Sequence, residues 1–279
     1  MSSNLPKIET IELIARLDDL LIELLKSINE SDWDLPTLAP KWRVKDIVAH
    51  LLDGNLRSLS MLRDGYFGEK PGDIDSYTDL LAYLNKLNED WVKSTTRLSP
   101  KVLIDLLESS GKEYILFLKS LNPEDTSKFS VAWAGESESK NWFHIAREYT
   151  EKWHHQQQIR LAIGATEPLY TFELYQPYLE TSMRALPHNY RNTQAENGNV
   201  LEFNVEHFGS WFLVYQDEKW ILSKEETQKP ICKTLIPKDI AWRIFTKGIK
   251  PGVAKDFIEF EGSSPYHGEK ILDMLAVMA

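Results

Sequence analysis

The period of the apolar positions changes partway along the chain. Over residues 7–29, KIETIELIARLDDLLIELLKSIN, the residues Ile11, Leu13, Ile14, Leu17, Leu20, Leu21, Leu24 and Leu25 recur at helical spacing and form a wide stripe. SDWDLPTLAPKW breaks that pattern with two prolines and predicts a loop, anchored by burial of Trp33 and Trp42. The helical period returns over residues 44–64, with Ile47, Val48, Leu51 and Leu52 on the core face and Asp46 in the first turn, where the helix dipole favours an anion. A polar, turn-rich stretch at 63–79 separates this helix from two more. One covers 78–98, with Leu80, Leu81, Leu84, Leu87 and Trp91. The other covers 100–120, begun by Ser99-Pro100. After an irregular segment at 121–140, residues 141–164 predict a last long helix, NWFHIAREYTEKWHHQQQIRLAIG.

Beyond Gly164 the pattern shifts. ATEPLY reads as a linker and 171–190 as one more helix. Short alternating runs follow at 200–206, 211–216, 219–223 and 232–236, with QDEK at 216–219 as a hairpin turn. Residues 237–246 are expected to be helical, 255–260 a strand and 267–278 a closing helix. The chain therefore divides into an all-α bundle over 1–165 and an α+β domain over 166–279.

Composition narrows the class without choosing a function. The hydrophobic fraction of 42% and charged fraction of 27% are those of a globular protein. No run reaches the length of a membrane span, and the first residues lack a basic-then-apolar signal pattern. A cytoplasmic setting is expected. The net charge of −10, with no cluster of Lys and Arg, argues against nucleic acid as a partner. The single cysteine, Cys232, excludes an intrachain disulfide and a cysteine-cluster metal site; its apolar surroundings read as structural.

The last long helix carries the candidate chemistry. His144, Glu148, Glu151 and His155 fall on one face, while Trp142, Ile145, Tyr149 and Trp153 occupy the opposite one. A helix with chemistry on one side and aromatics on the other is packed on both, and a buried imidazole or carboxylate is costly without a partner. A metal ion satisfies both. Glu151 and His155, at i and i+4, can reach one ion together, but a third ligand must come from elsewhere. His144 and Glu148 either orient ligands by hydrogen bonds or form an ion pair with Arg147 or a lysine. His154 is set aside because it points about 100° away from His155. Gln158, one turn beyond His155, lines a pocket or makes a simple polar contact. His188, His207 and His267 have no partner spacing and read as structural or surface residues. By itself His50 reads as a hydrogen-bonded core histidine.

Two segments bear a family likeness. PTLAPKWRVKDIVAHLL, with Trp42, Val44, Asp46, Val48, His50 and Leu51, resembles the opening of the mycothiol-dependent maleylpyruvate isomerase family. REYTEKWHHQQQI, with Glu151, His155, Gln158 and Ile159, resembles the last bundle helix of the wider DinB-like superfamily. The stretches GSWFLVYQDEKW and PKDIAWRIFTKG are similar to a small sterol-carrier-type α+β domain that follows the bundle in that family. The resemblance implies a DinB-like four-helix bundle followed by that domain. It also implies a divalent metal, zinc first, held by His50, Glu151 and His155. An open position on the metal would take a low-molecular-weight thiol, mycothiol or an analogue. It further implies a catalytic arginine from the second domain; Arg243 is the nearest match but lies off the pattern, with Arg147 and Lys247 as other cations for an anionic substrate. The expected function is thiol-dependent isomerisation or S-transfer on a small electrophile. The alternatives are a non-catalytic metal- or ligand-binding protein and a histidine–carboxylate cluster without metal. Which thiol, which substrate and which oligomer remain open at this level.

Overall fold

Five long helices, a run of short helical turns and a five-stranded sheet make up the computed structural model, which describes residues 5–69 and 72–277. The chain forms two compact units. One comprises Thr10–Lys128 with Glu151–Leu169; the other comprises Phe129–Thr150 and the chain from Tyr170 onward, together with the residues before Thr10. Among the described residues no helix is long and apolar enough to cross a membrane.

The first unit is helical. α1 (Ile11–Ser27), α2 (Val44–Ser58), α3 (Tyr77–Thr95) and α4 (Pro100–Ser120) follow the four predicted stripes. Their core gathers Leu21, Leu25, Trp33, Val44, Ile47, Val48, Leu52, Leu103 and Leu107, joined by Ile159 from α5 (Asn141–Ala162). Trp33 is buried and Trp42 packs against this core, so the proline-rich loop is pinned as its aromatics demand. Asp46 does more than meet the helix dipole: its Oδ2 accepts hydrogen bonds from the Arg43 backbone N–H at 2.9 Å and from Arg43 Nε at 3.2 Å, closing the first turn of α2. At its far end α2 widens into a π-helical turn, Leu59–Arg63. Ser99 Oγ caps α4 by accepting from Val102 N at 3.3 Å, with Pro100 in the first turn. The predicted loop at 63–79 includes two positions, 70 and 71, outside the described residues.

The second unit is built on a mixed sheet of order β3-β2-β1-β4-β5. β1 (Val200–Val205), β2 (Gly209–Gln216) and β3 (Lys219–Ser223) form consecutive antiparallel hairpins, β4 (Cys232–Ile236) pairs parallel to β1, and β5 (Glu259–Gly262) closes the edge antiparallel to β4. The predicted turn between β2 and β3 places Asp217 and Glu218 at φ 51° and 61°, the left-handed pair of a type I′ hairpin. α8 (Lys238–Phe245) follows β4 as expected. N-terminal half and sheet half together give the helical region plus small mixed sheet that the sequence pattern predicts.

Three elements differ from expectation. The helix over 171–190 is α6 (Phe172–Ser182), a 3₁₀ turn Met183–Ala185 and a short α7 (Leu186–Asn189). Pro187 has no N–H to continue the α ladder, which explains the tightening. The strand expected at 255–260 begins later. Pro251 starts a short helix, α9 (Pro251–Ala254), which runs into the 3₁₀ turn Lys255–Phe257 before β5. The closing helix over 267–278 is instead α10 (Pro265–Glu269) and a 3₁₀ turn Lys270–Asp273, after which the chain extends and Ala276 N–H donates to Phe245 O at 2.9 Å; Met278 lies outside the described residues. Pairing with a distant carbonyl replaces the i−4 bond a helix would have used.

Candidate metal centre

α2 and the second half of α5 bring His50 beside His155, and His155 beside Glu151, within the helical unit. The imidazole centroids of His50 and His155 are 4.7 Å apart with the rings steeply inclined. His155 Nε2 stands 3.7 Å from Glu151 Oε2, one helical turn away. The indole of Trp42 lies against both rings, 4.8 Å from His50 and 6.3 Å from His155, and forms an aromatic wall beside the donors.

The hydrogen bonding assigns the protons. His155 Nδ1 meets Gln158 Oε1 at 2.9 Å. A carbonyl oxygen only accepts, so Nδ1 carries the hydrogen and Nε2 presents its lone pair to the Glu151 carboxylate. Two acceptors face each other at that point, an arrangement that a cation between them relieves. Burial pushes the His155 imidazole well below its ordinary range, the neighbouring His154 pushes the same way, and Gln158 opposes both. His50 is likewise pushed well down, first by burial and then by His155 and by the charge of Arg57. Its Nδ1 is buried with no hydrogen-bond partner. Both imidazoles are therefore held neutral, the form in which histidine binds a metal. A donor set of imidazoles and one carboxylate suits a zinc-type divalent ion.

The structure adds a donor that helix-wheel reasoning set aside. His154 Nδ1 lies 3.9 Å from Glu151 Oε2, and ligand atoms of Glu151, His154 and His155 all fall within 4.8 Å of one another. Glu151 is thus met from both i+3 and i+4.

The remaining candidates sit elsewhere. His144, Arg147 and Glu148 form a cluster in the sheet-containing unit: Arg147 Nη2 is 2.7 Å from His144 Nδ1 and donates to Glu148 Oε1 at 3.1 Å. Arg243 lies on α8 in the same unit, beside Asp239 at 3.6 Å, with its Nε buried and without a hydrogen-bond partner. Cys232 is buried in β4 with its thiol pushed up by burial. His267 is buried, its two ring nitrogens paired with Ser264 Oγ and Gln194 O.

A helical unit with an inward-facing imidazole–carboxylate group, in a chain that ends in a small mixed sheet, defines the class. Residues 14–160 match the family described as the mycothiol maleylpyruvate isomerase N-terminal domain, and the chain belongs to that family. Two solved structures share the fold along nearly the whole length. A histidine-to-alanine mutant of the mycothiol-dependent maleylpyruvate isomerase matches with a TM-score of 0.54 and 12% identity, covering 94% of this chain and 96% of that one. The crystal structure described simply as the mycothiol-dependent maleylpyruvate isomerase matches with a TM-score of 0.51, 11% identity and the same coverage. No curated protein sequence matches the chain.

Proposed function

We propose that the chain is a metal-dependent enzyme that uses a small thiol to isomerise an electrophilic substrate, or that transfers the intact thiol onto it as an S-transferase. The observation that carries this reading is the Glu151 carboxylate facing the unprotonated Nε2 of His155 at 3.7 Å, with the His50 ring edge-on to that of His155. His50, Glu151 and His155 would hold a divalent ion, zinc by the character of the donors. Such an ion, when bound, supplies acidity to a thiol and so favours thiolate near neutral pH. Family membership and the two isomerase structures support mycothiol or an analogue as that thiol.

The chain's own residues have three tasks. Gln158 fixes the tautomer and orientation of His155. Trp42 shields one side of the imidazoles from water. The depressed basicity of His50 and His155 keeps both lone pairs available rather than protonated. Isomerisation of a conjugated cis acid by sulfur requires addition, rotation about the resulting single bond and elimination; S-transfer ends after addition or displacement. The same residues serve either outcome. A cytoplasmic location, where small thiols are reduced, fits this chemistry.

His154 favours a second reading. Glu151, His154 and His155 have ligand atoms within 4.8 Å of one another; if His50 joined them on one ion, four protein ligands would close the site, as in structural zinc centres. The chain would then be a metal-binding protein without catalysis. Purified wild type, His155→Ala and Glu151→Gln, prepared without added metal, distinguish the readings by elemental analysis and thiol-dependent turnover of maleylpyruvate. One ion per chain in wild type, lost with turnover in the variants, supports the enzyme. A bound ion with no turnover and no accessible ligand position supports the closed site.

A further inference from the structure

α2 carries another chemically capable group on the face of His50. Arg57 lies seven residues further on, about 20° away around the helix and about 10 Å along it. Helical side chains lean toward the N-terminus, and Arg57 does so, its Nη2 meeting Asp53 Oδ2 one turn back. Its charge reaches that imidazole and opposes protonation there. The helix widens into the π turn Leu59–Arg63 directly afterwards, a distortion that recurs at functional sites.

The guanidinium is only partly used. Its ion pair is with Asp53, Nη2 to Oδ2, at a long 3.4 Å, and its Nη1 is buried without any hydrogen-bond partner. A buried donor left unmade is costly, more so on a charged group. Asp53 does not relieve it: its carboxyl is itself buried and pushed up by that burial, with Arg57 opposing. An arginine fork with a free buried N–H fits a planar carboxylate. Arg147, another cation considered for this task, is engaged by His144 and Glu148.

We propose that Arg57 is the specificity-determining residue of the His50/Glu151/His155 site, binding a carboxylate of a small organic acid substrate across its guanidinium. The proposal rests on the reading of that cluster as a ligand site and names what recognises the ligand's charge.

The test is calorimetric titration of maleate, with the neutral diamide of the same acid as control, into wild type, Arg57→Gln, Arg57→Lys and Asp53→Asn. Each protein is measured metal-free and after loading with one equivalent of zinc. Arg57→Gln is expected to weaken maleate binding about tenfold or more, and Arg57→Lys by less, because the charge survives and the fork does not. Asp53→Asn is expected to tighten binding, since it releases the guanidinium, whereas a merely structural ion pair would make both variants bind worse. Diamide binding should be insensitive to all three. Unchanged maleate affinity in Arg57→Gln, or equal weakening in Arg57→Gln and Asp53→Asn, overturns the proposal, as does a wild type that binds maleate no better than the diamide. The metal-free arm keeps this outcome separate from the metal reading: failure to take up zinc removes that reading while the dependence on Arg57 is still measured.

Discussion

His155 and Gln158 are joined on one face of α5, Nδ1 to Oε1 at 2.9 Å. The bond leaves Nε2 as the lone-pair nitrogen and points it at Glu151, so the glutamine decides which histidine atom meets the carboxylate. Hydrogen bonds of this kind to metal-binding histidines typically govern affinity by about 10–100-fold. Gln158→Leu should therefore weaken zinc binding by that order without unfolding the chain. Competition against a chromogenic chelator measures it, and an affinity equal to wild type would show that Gln158 is a packing contact alone.

His50 and His154 are the alternatives for a third ligand beside Glu151 and His155, and their removal separates the two functional readings. With an open three-ligand site, His50→Ala should lose the ion and His154→Ala should retain it, with affinity lowered by no more than the roughly 10–100-fold of a neighbouring group. With a closed four-ligand site, both substitutions should cost affinity alike. Zinc stoichiometry after dialysis, read together with cobalt-substituted absorption spectra, resolves them by coordination number.

Much of this arrangement was legible from the chain alone. The stripes of α1, α2, α3 and α4 and the pairing of Glu151 with His155 follow from helical period, and the hairpin at Asp217 follows from strand alternation. His154 did not follow, because a wheel separates adjacent Cβ directions by about 100° and ignores the reach of an imidazole. The overlooked signal was the spacing of Glu151 to His154, i to i+3, which also places neighbours. Arg57 was hidden for a similar reason: its seven-residue spacing from His50 is visible, but its orphaned N–H is a tertiary fact. The displaced β5 strand reflects Pro251, whose local helix start outweighs the apolar run after it.

Lys152 predicts where the helical unit is most vulnerable. Its ammonium is buried and donates to Asp18 Oδ1 and Oδ2 at 2.9 and 3.1 Å and to Asn55 Oδ1 at 3.0 Å, tying α5 to α1 and α2. Removing one partner of a buried pair typically costs about 3–5 kcal/mol, whereas replacing the ion by an apolar chain costs less. Asp18→Ala should therefore destabilise more than the double variant with Lys152→Met. Gly111→Ala should also destabilise, against its helix propensity, because a Cβ there would stand 2.8 Å from Asp18 Oδ2. Urea unfolding midpoints check the order; a double variant as unstable as Asp18→Ala would contradict it.

His144 sets an acid limit on the sheet-containing unit. Burial pushes its imidazole down to about 4, Glu148 partly offsets this, and Arg147 adds to it. Above the unfolded value near 6.5 the residue is neutral in both states and has no effect on the pH dependence. As pH falls from about 6.5 to 4 the unfolded chain takes up the proton and the folded chain does not, so stability falls with pH through that window. The full shift corresponds to about 3 kcal/mol. His144→Asn keeps an acceptor for Arg147 and cannot titrate. The variant should be less stable than wild type at pH 7 yet lose less stability on going to pH 4, the difference in slope being the signature. Parallel stability–pH curves for the two proteins, measured by denaturant unfolding, would show that His144 protonates as easily in the fold as outside it.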